Sequence, residues 1–190
     1  FPDLHIRIMG IVSDGKVTVP GGDDIMNYGD EVYFAVETAH LTRAMASFGH
    51  EEKEARRIVI VGGGNVGLFL AQALEEDHPN VSPKMIEMSK ERAQDVAEQL
   101  DRTVVLHGDA LDREILEEAN VASAEAIVAV TNDDEVNILS SLLAKRYGAR
   151  RALTLVDNMT FESLITTLGV DVVVVPQAIT VSTILQHVRR

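Results

Sequence analysis

Gly62, Gly64 and Gly67, with Gly63, Asn65 and Val66 between them, follow directly on the apolar run Ile58-Val59-Ile60-Val61. Gly-x-Gly-x-x-Gly between a strand and a helix is the pattern that cradles a pyrophosphate. The phosphates need backbone that comes close, and only residues without a side chain allow it. Gly62 suits the tight turn, Gly64 the approach of the phosphates, and Gly67 the packing of the helix on the strand. The helix start then offers unpaired N–H groups and a partial positive charge to the anion. An acid about 20 residues further on, at the end of the second strand, would bond the ribose hydroxyls. Glu87 stands there, closing Lys84-Met85-Ile86-Glu87. The bland alternative is an accidental glycine turn and a surface carboxylate, but strand, glycines, helix and acid in register favour the nucleotide reading.

Two more strand ends carry groups that suit a nucleotide. Gly108-Asp109-Ala110 ends the third strand, and Asp109 can reach an adenine or ribose or equally cap the next helix. Thr131-Asn132-Asp133 ends the fourth; Thr131 and Asn132 can bond phosphate or ribose, while Asn132 or Asp133 can cap the following helix. Both roles are compatible. Asn137, one turn further on, is placed to stabilise this loop. The adjacent acids Asp133, Asp134 and Glu135 read as complements of a helix dipole rather than as a metal site. The histidines, at 5, 40, 50, 78, 107 and 187, make no ligand pair, so no zinc site is expected.

These groups must be positioned by alternating strands and helices, the pattern of a doubly wound parallel α/β sheet of Rossmann type. The expected strands are Ile58–Val61, Lys84–Glu87, Thr103–His107, Ala126–Val130, Arg151–Val156 and Asp171–Val175. Their lack of polar alternation predicts burial on both faces. The expected helices are Asn65–Glu76, with Val66, Phe69, Leu70, Ala73 and Leu74 at helical spacing, one N-capped by Ser89, and those over Asp112–Ala119, Asp133–Tyr147 and Phe161–Leu168. Pro79 and Pro83 are expected in the loop before the second strand. A last helix over 177–188 carries the apolar stripe Ile179, Ile184, Leu185 and Val188, fit either to pack on this domain or to dock on a partner.

Residues 1–50 follow another rhythm and are expected to be part of a small α+β lobe. Ile6–Val12 and Lys16–Val19 flank the hairpin signal Ser13-Asp14-Gly15, a strand follows over Glu31–Glu37, and Ala39–Phe48 looks helical. The polar stretch 51–57 reads as a linker, so the expected division is 1–50, 51–57, 58–176 and 177–190. A chain of 190 residues starting with Phe1 reads as a fragment of a longer protein.

A net charge of −13 argues against unaided binding of nucleic acid or anionic lipid. The chain has no cysteine, which fits the cytoplasm better than an oxidising compartment. No apolar run approaches a membrane span. There is no catalytic triad or nucleophile elbow, and too few residues follow the sixth strand to supply a substrate domain. A nucleotide site without a reaction site points to sensing; the alternative is a fragment of an NAD-dependent oxidoreductase whose catalytic domain lies elsewhere.

Several motifs in order carry a resemblance: Ile58-Val-Ile-Val-Gly-Gly-Gly-Asn-Val-Gly67, Ile86-Glu87, His107-Gly-Asp-Ala110 and Ala129-Val-Thr-Asn-Asp-Asp-Glu-Val-Asn137, with Asp171–Pro176 as the exit. Residues 58–175 thereby resemble the nucleotide-binding lobe of regulator-of-potassium-conductance (RCK, or KTN) domains, of the kind that serve Trk-type potassium uptake. Gly15–Pro20 and Tyr28–Tyr33 resemble the companion C-terminal lobe. A C-lobe before an N-lobe implies the middle of a tandem two-repeat protein. The resemblance implies a cytoplasmic, homo-oligomeric regulator peripheral to the membrane and bound to a Trk-type potassium transporter subunit. It implies a ligand of NAD(H), or ATP or ADP, with Gly62–Gly67, Glu87, Asp109, Ala110 and Thr131–Asp133 as the site. Glu87 favours a free ribose 2′-OH, hence NAD over NADP.

Overall fold

The computed structural model describes residues 6–13, 15–49, 55–158, 165 and 167–188. Two compact units divide the chain between Glu54 and Ala55.

In the first unit β1 (Arg7–Ser13) pairs antiparallel with β2 (Lys16–Thr18) and β3 (Glu31–Ala35), in the order β2-β1-β3. A single 3-10 turn, Thr38–His40, leads into α1 (Leu41–Ser47). The hairpin expected from Gly15 is present, with the glycine in left-handed backbone at φ 75°. Asp14, at its tip, lies outside the described residues, as do positions 51–54 of the expected linker. Phe34 stacks on Phe48 with ring centroids 5.1 Å apart, tying β3 to the end of α1.

The second unit is a six-stranded parallel sheet in the order β6-β5-β4-β7-β8-β9. The strands are β4 (Arg57–Val61), β5 (Ser82–Glu87), β6 (Val104–His107), β7 (Ala126–Ala129), β8 (Ala152–Leu155) and β9 (Val172–Val174). Between them run α2 (Asn65–Asp77), α3 (Lys90–Ala97), α4 (Arg113–Glu118) and α5 (Asp134–Arg146), and α6 (Pro176–Val188) ends the described chain. Counted from β4, the order is 3-2-1-4-5-6, that of a Rossmann sheet. The chain reverses its direction of winding between β4 and β7, which puts a crevice at their carboxyl ends.

The core has two layers, as the apolar strands require. Val59 and Val61 point to one face with Ile127, Ala129, Leu116 and Ala144; Ile60 points to the other with Met85, Leu68, Ala71 and Val96. Alternate residues of β4 thus enter opposite cores, and burial on both faces follows.

Two local expectations change, and one open alternative is narrowed. Pro83 lies inside β5, not in the loop before it, and is buried opposite Ile58. The pairing of β5 with β6 begins only at Lys84, so the nitrogen that proline lacks a hydrogen on has no ladder partner to lose. On α2 the buried residues are Gly67, Leu68 and Ala71, while Val66 and Phe69 are exposed, Phe69 to 70%. Gly67 brings the helix so close to β4 that the inward face is centred on small residues rather than on the bulky stripe. The stripe of α6 does not pack on the sheet: Ile179, Ile184, Leu185 and Val188 are all exposed. Of the helix expected over Phe161–Leu168, residues 159–164 and 166 lie outside the described residues; Ile165 is helical and buried in the β8 side of the core.

Candidate nucleotide site

The glycine turn leaves β4 at the crevice. Gly62 has φ 105°, a conformation side chains avoid, and its N–H donates to the Ile86 carbonyl at 2.9 Å. Gly67 is the close-packed one: a Cβ there would stand 1.9 Å from the Gly62 carbonyl oxygen. Around Gly64 the space is open, with nothing within 4 Å of a Cβ. Gly62 thus serves the turn and Gly67 the close packing of helix on strand, while Gly64 leaves open space.

Gly64 is the N-cap of α2 and has no side chain to accept from the first turn. The neighbouring helices do. Ser89 accepts from the Arg92 N–H at the start of α3, Asp112 from the Glu114 N–H at α4, and Asp133 from the Val136 N–H at α5. An uncapped helix start at the crevice holds donors for an anion.

Glu87, at the end of β5, faces this turn. One carboxylate oxygen accepts from the Gly63 N–H at 2.7 Å and the other from the Ser89 N–H at 2.8 Å. Each oxygen keeps a lone pair, so the carboxylate can also accept from ribose hydroxyls. The middle glycine of the run is needed for this contact. A Cβ at Gly63 would lie 3.1 Å from a Glu87 carboxylate oxygen and 3.3 Å from the Met85 sulfur.

Thr131 forms the other wall. A Cβ on Gly62 would meet the Thr131 methyl group and backbone N–H at 3.0 Å, so the turns after β4 and β7 are in contact. The Thr131 hydroxyl is engaged within the chain, by the Asn137 side-chain oxygen at 2.7 Å and by the Asp133 backbone at 3.2 Å. Asp133 serves as the cap of α5, and Asn132 is exposed beside it.

Asp109 is exposed after β6, next to Glu87: the Gly108 N–H donates to the Glu87 carbonyl at 2.9 Å. The cap of α4 is Asp112, not Asp109; Asp109 instead accepts from the Leu111 N–H at 2.8 Å, closing a turn. Ala110 is buried in the core, so its backbone alone faces the edge. The structure thus brings Gly62–Gly67, Glu87 and Thr131 into one cluster, sets Asn132 and Asp133 along the β7 edge, and puts Asp109 and Ala110 along the β6 edge. A concavity of about 340 Å³ in the first unit, lined by Ile6, Arg7, Ile11, Pro20, Asp24 and Met26 among others, holds none of these residues.

Sequence reasoning missed Arg92. From the first turn of α3 its Nε donates to the Gly63 carbonyl at 2.7 Å. A signal was present: a cation in the first turn opposes the helix dipole, so something outside the helix has to hold it.

A 3-2-1-4-5-6 parallel sheet with a glycine turn after its first strand and an acid closing its second defines the Rossmann-like class. Within that class the chain belongs to the TrkA-N domain family, whose model matches residues 58–176. Over all of its 190 residues it is 49% identical to the Trk system potassium uptake protein TrkA of Azorhizobium caulinodans, spanning 42% of that protein. The chain spans about two fifths of the length of the curated relatives it matches. Among solved structures, the TrkA-N domain of the inner membrane protein ybaL of Escherichia coli aligns with a TM-score of 0.62 at 19% identity, covering 71% of this chain and 98% of that one. The GsuK channel bound to NAD aligns at 0.62 and 22% identity, covering 97% of this chain and 33% of that one. The same protein bound to ADP aligns at 0.57 and 23%, covering 77% and 39%. These likenesses establish the fold.

Proposed function

We propose that this chain is the nucleotide-sensing part of a regulatory subunit of a Trk-type potassium uptake system, cytoplasmic and peripheral to the membrane. Its relatives are named potassium uptake proteins. The ligand is NAD(H), with ATP or ADP as the alternative, since each presents an adenosine ribose and a phosphate chain. GsuK, of the same fold, has been solved with NAD and with ADP. The observation that carries the reading is the uncapped start of α2 beside the Glu87 carboxylate, 2.7 Å from the Gly63 N–H. N–H donors for an anion and a carboxylate acceptor for hydroxyls stand side by side, as a ribose phosphate requires.

Residues 58–176 form the sensing domain in this reading, with Gly62, Gly63, Gly64, Asn65, Val66, Gly67 and Glu87 at its centre. Asp109, Ala110, Thr131, Asn132 and Asp133 line its edges. Residues 1–50 are part of a companion lobe, 51–57 a linker, and 177–190 a docking helix for a second copy or a further lobe. The protein acts as a switch rather than as an enzyme: a nucleotide regulates only if it binds two conformations with different affinity.

Calorimetric titration of NAD, NADH, ATP and ADP tests the site. Gly64→Val is the decisive variant, because a Cβ at this position meets nothing of the protein within 4 Å and projects into the space a phosphate would take. Binding lost with the melting temperature kept supports the site; unchanged affinity refutes it. Turnover of NADH with any small substrate would favour an oxidoreductase instead.

A further inference from the structure

Gly63 is held from both of its polar ends by charged side chains of the β5–α3 junction. The Glu87 carboxylate accepts from its N–H, and Arg92 Nε donates to its carbonyl, each at 2.7 Å. The peptide that joins Gly63 to Gly64 is planar and trans, so its carbonyl and its N–H point in opposite directions. Anchoring the Gly63 carbonyl on Arg92 therefore turns the Gly64 N–H away from α3. Gly63 is buried and Gly64 exposed, and the space around Gly64 is open. The cation also polarises the peptide it touches, which strengthens the N–H as a donor.

We propose that Arg92 is a positioning residue for phosphate recognition: by holding the Gly63 carbonyl it aims the Gly64 N–H at the phosphate chain of the nucleotide. The inference rests on the nucleotide reading above and deepens it. Arg92 does not touch the ligand in this role. It supplies the orientation that a run of three glycines, free to rotate, lacks by itself. Its position in the first turn of α3, against the helix dipole, is explained by that contact rather than by the helix.

The test compares the 190-residue chain with Arg92→Ala by ADP titration and by amide spectra of ¹⁵N-labelled protein recorded without nucleotide. Loss of one charge-assisted hydrogen bond that orients a donor predicts an ADP affinity about ten-fold weaker. The amide resonances of Gly63, Gly64 and Asn65 should move before any nucleotide is added, while those of β4, β5 and the rest of α3 stay in place. If Arg92→Ala fails to fold, Arg92→Gln, which keeps an N–H donor without the charge, carries the same readouts with a loss of about three-fold. ADP affinity equal to wild type overturns the proposal. So does a weaker affinity with the Gly64 resonance unmoved, which would make Arg92 a direct ligand contact, and so does a shift spread through β5 and α3, which would make it a structural residue. A wild-type chain that binds neither ADP nor NADH defeats the nucleotide reading itself.

Discussion

Asn137 grips Thr131 by three bonds. Its side-chain oxygen accepts from the Thr131 N–H at 2.8 Å and from the hydroxyl at 2.7 Å, and its amide nitrogen donates to the Thr131 carbonyl at 3.0 Å. The same nitrogen donates to the Leu155 carbonyl at 3.0 Å, so one fully buried side chain fastens the end of β7 to the end of β8. The wall of the crevice opposite the glycine turn is held by this residue. Leucine, branched at the same atom, would leave the Thr131 N–H, the Thr131 carbonyl and the Leu155 carbonyl without this partner. Asn137→Leu should cost about 2–4 kcal/mol as these three half-buried groups lose their bonds, measured by urea denaturation.

Gly67→Ala tests the close approach of α2 to β4. The added methyl would overlap the Gly62 carbonyl oxygen, which is backbone and cannot rotate aside. Helix and strand must separate, at a cost of about 2–3 kcal/mol. A melting temperature unchanged from wild type would contradict the packing described. The contrast with Gly64→Val, where a Cβ meets no such overlap, separates the glycine that serves the fold from the glycine proposed to serve the ligand.

Glu87→Ala removes the proposed ribose acceptor and the partner of the Gly63 N–H together. NADH affinity should fall about 10- to 100-fold, as for loss of a charged hydrogen-bond acceptor. NADPH, whose 2′-phosphate the carboxylate repels, should lose less or gain. A ratio of the two affinities that does not move on calorimetry would take Glu87 out of the ribose site.

Glu75 links stability to pH. Burial pushes its carboxyl up, but donors from the Asp101 N–H, the Thr103 hydroxyl and the N–H groups of Arg102 and Thr103 outweigh it and hold the group below its ordinary 4.5. These four bonds, of 2.7 to 3.0 Å, join the end of α2 to the α3–β6 loop. A carboxyl depressed by folding contributes stability above its unfolded value of about 4.5, and that stability is lost as the pH falls through the lower folded value. Glu75→Gln should therefore lower the urea midpoint at pH 7, and the gap to wild type should close as the pH drops below about 4.5. A gap that stays constant over that range would show that the charge is not what the loop holds.

The α6 stripe is a test of assembly. Ile184 and Leu185 are exposed in the chain, so the double substitution to glutamate should leave the denaturation curve of the sheet within about 0.5 kcal/mol of wild type. If α6 docks on a second copy, light scattering will show the substituted chain at a lower mass. An unchanged mass removes self-association from the role of this helix.

Much of the fold is legible in local sequence. Uninterrupted Val/Ile runs have nowhere to go but a sheet covered on both faces, and glycine spacing encodes a turn that few other residues can make. Ser89, Asp112 and Asp133 stand where helix starts need a side-chain acceptor. The departures share one cause. Side-chain size alone would turn the bulky stripe of α2 inward, but which face turns inward depends on how near the helix can come to β4, and Gly67 sets that distance. Its own chemistry alone would put Pro83 outside a strand, but whether a proline breaks a strand depends on where the neighbouring strand begins to pair.

The order of types along the chain determined by itself that this would be a Rossmann-like domain with a glycine turn at one strand end and an acid at the next, because hydrophobic period, turn chemistry and helix capping are local properties. Tertiary structure alone decided which polar groups remain free to meet a ligand. Thr131 offers its hydroxyl in sequence, and the fold sets it against Asn137; Asn132 and Asp133 are equal candidates for the cap of α5, and Asp133 is the one that accepts from the Val136 N–H; Arg92, in the first turn of α3, anchors Gly63. A side chain's hydrogen-bonding capacity is fixed by its type, but whether that capacity is already used depends on partners 6 and 29 residues away, which only folding brings within 3 Å.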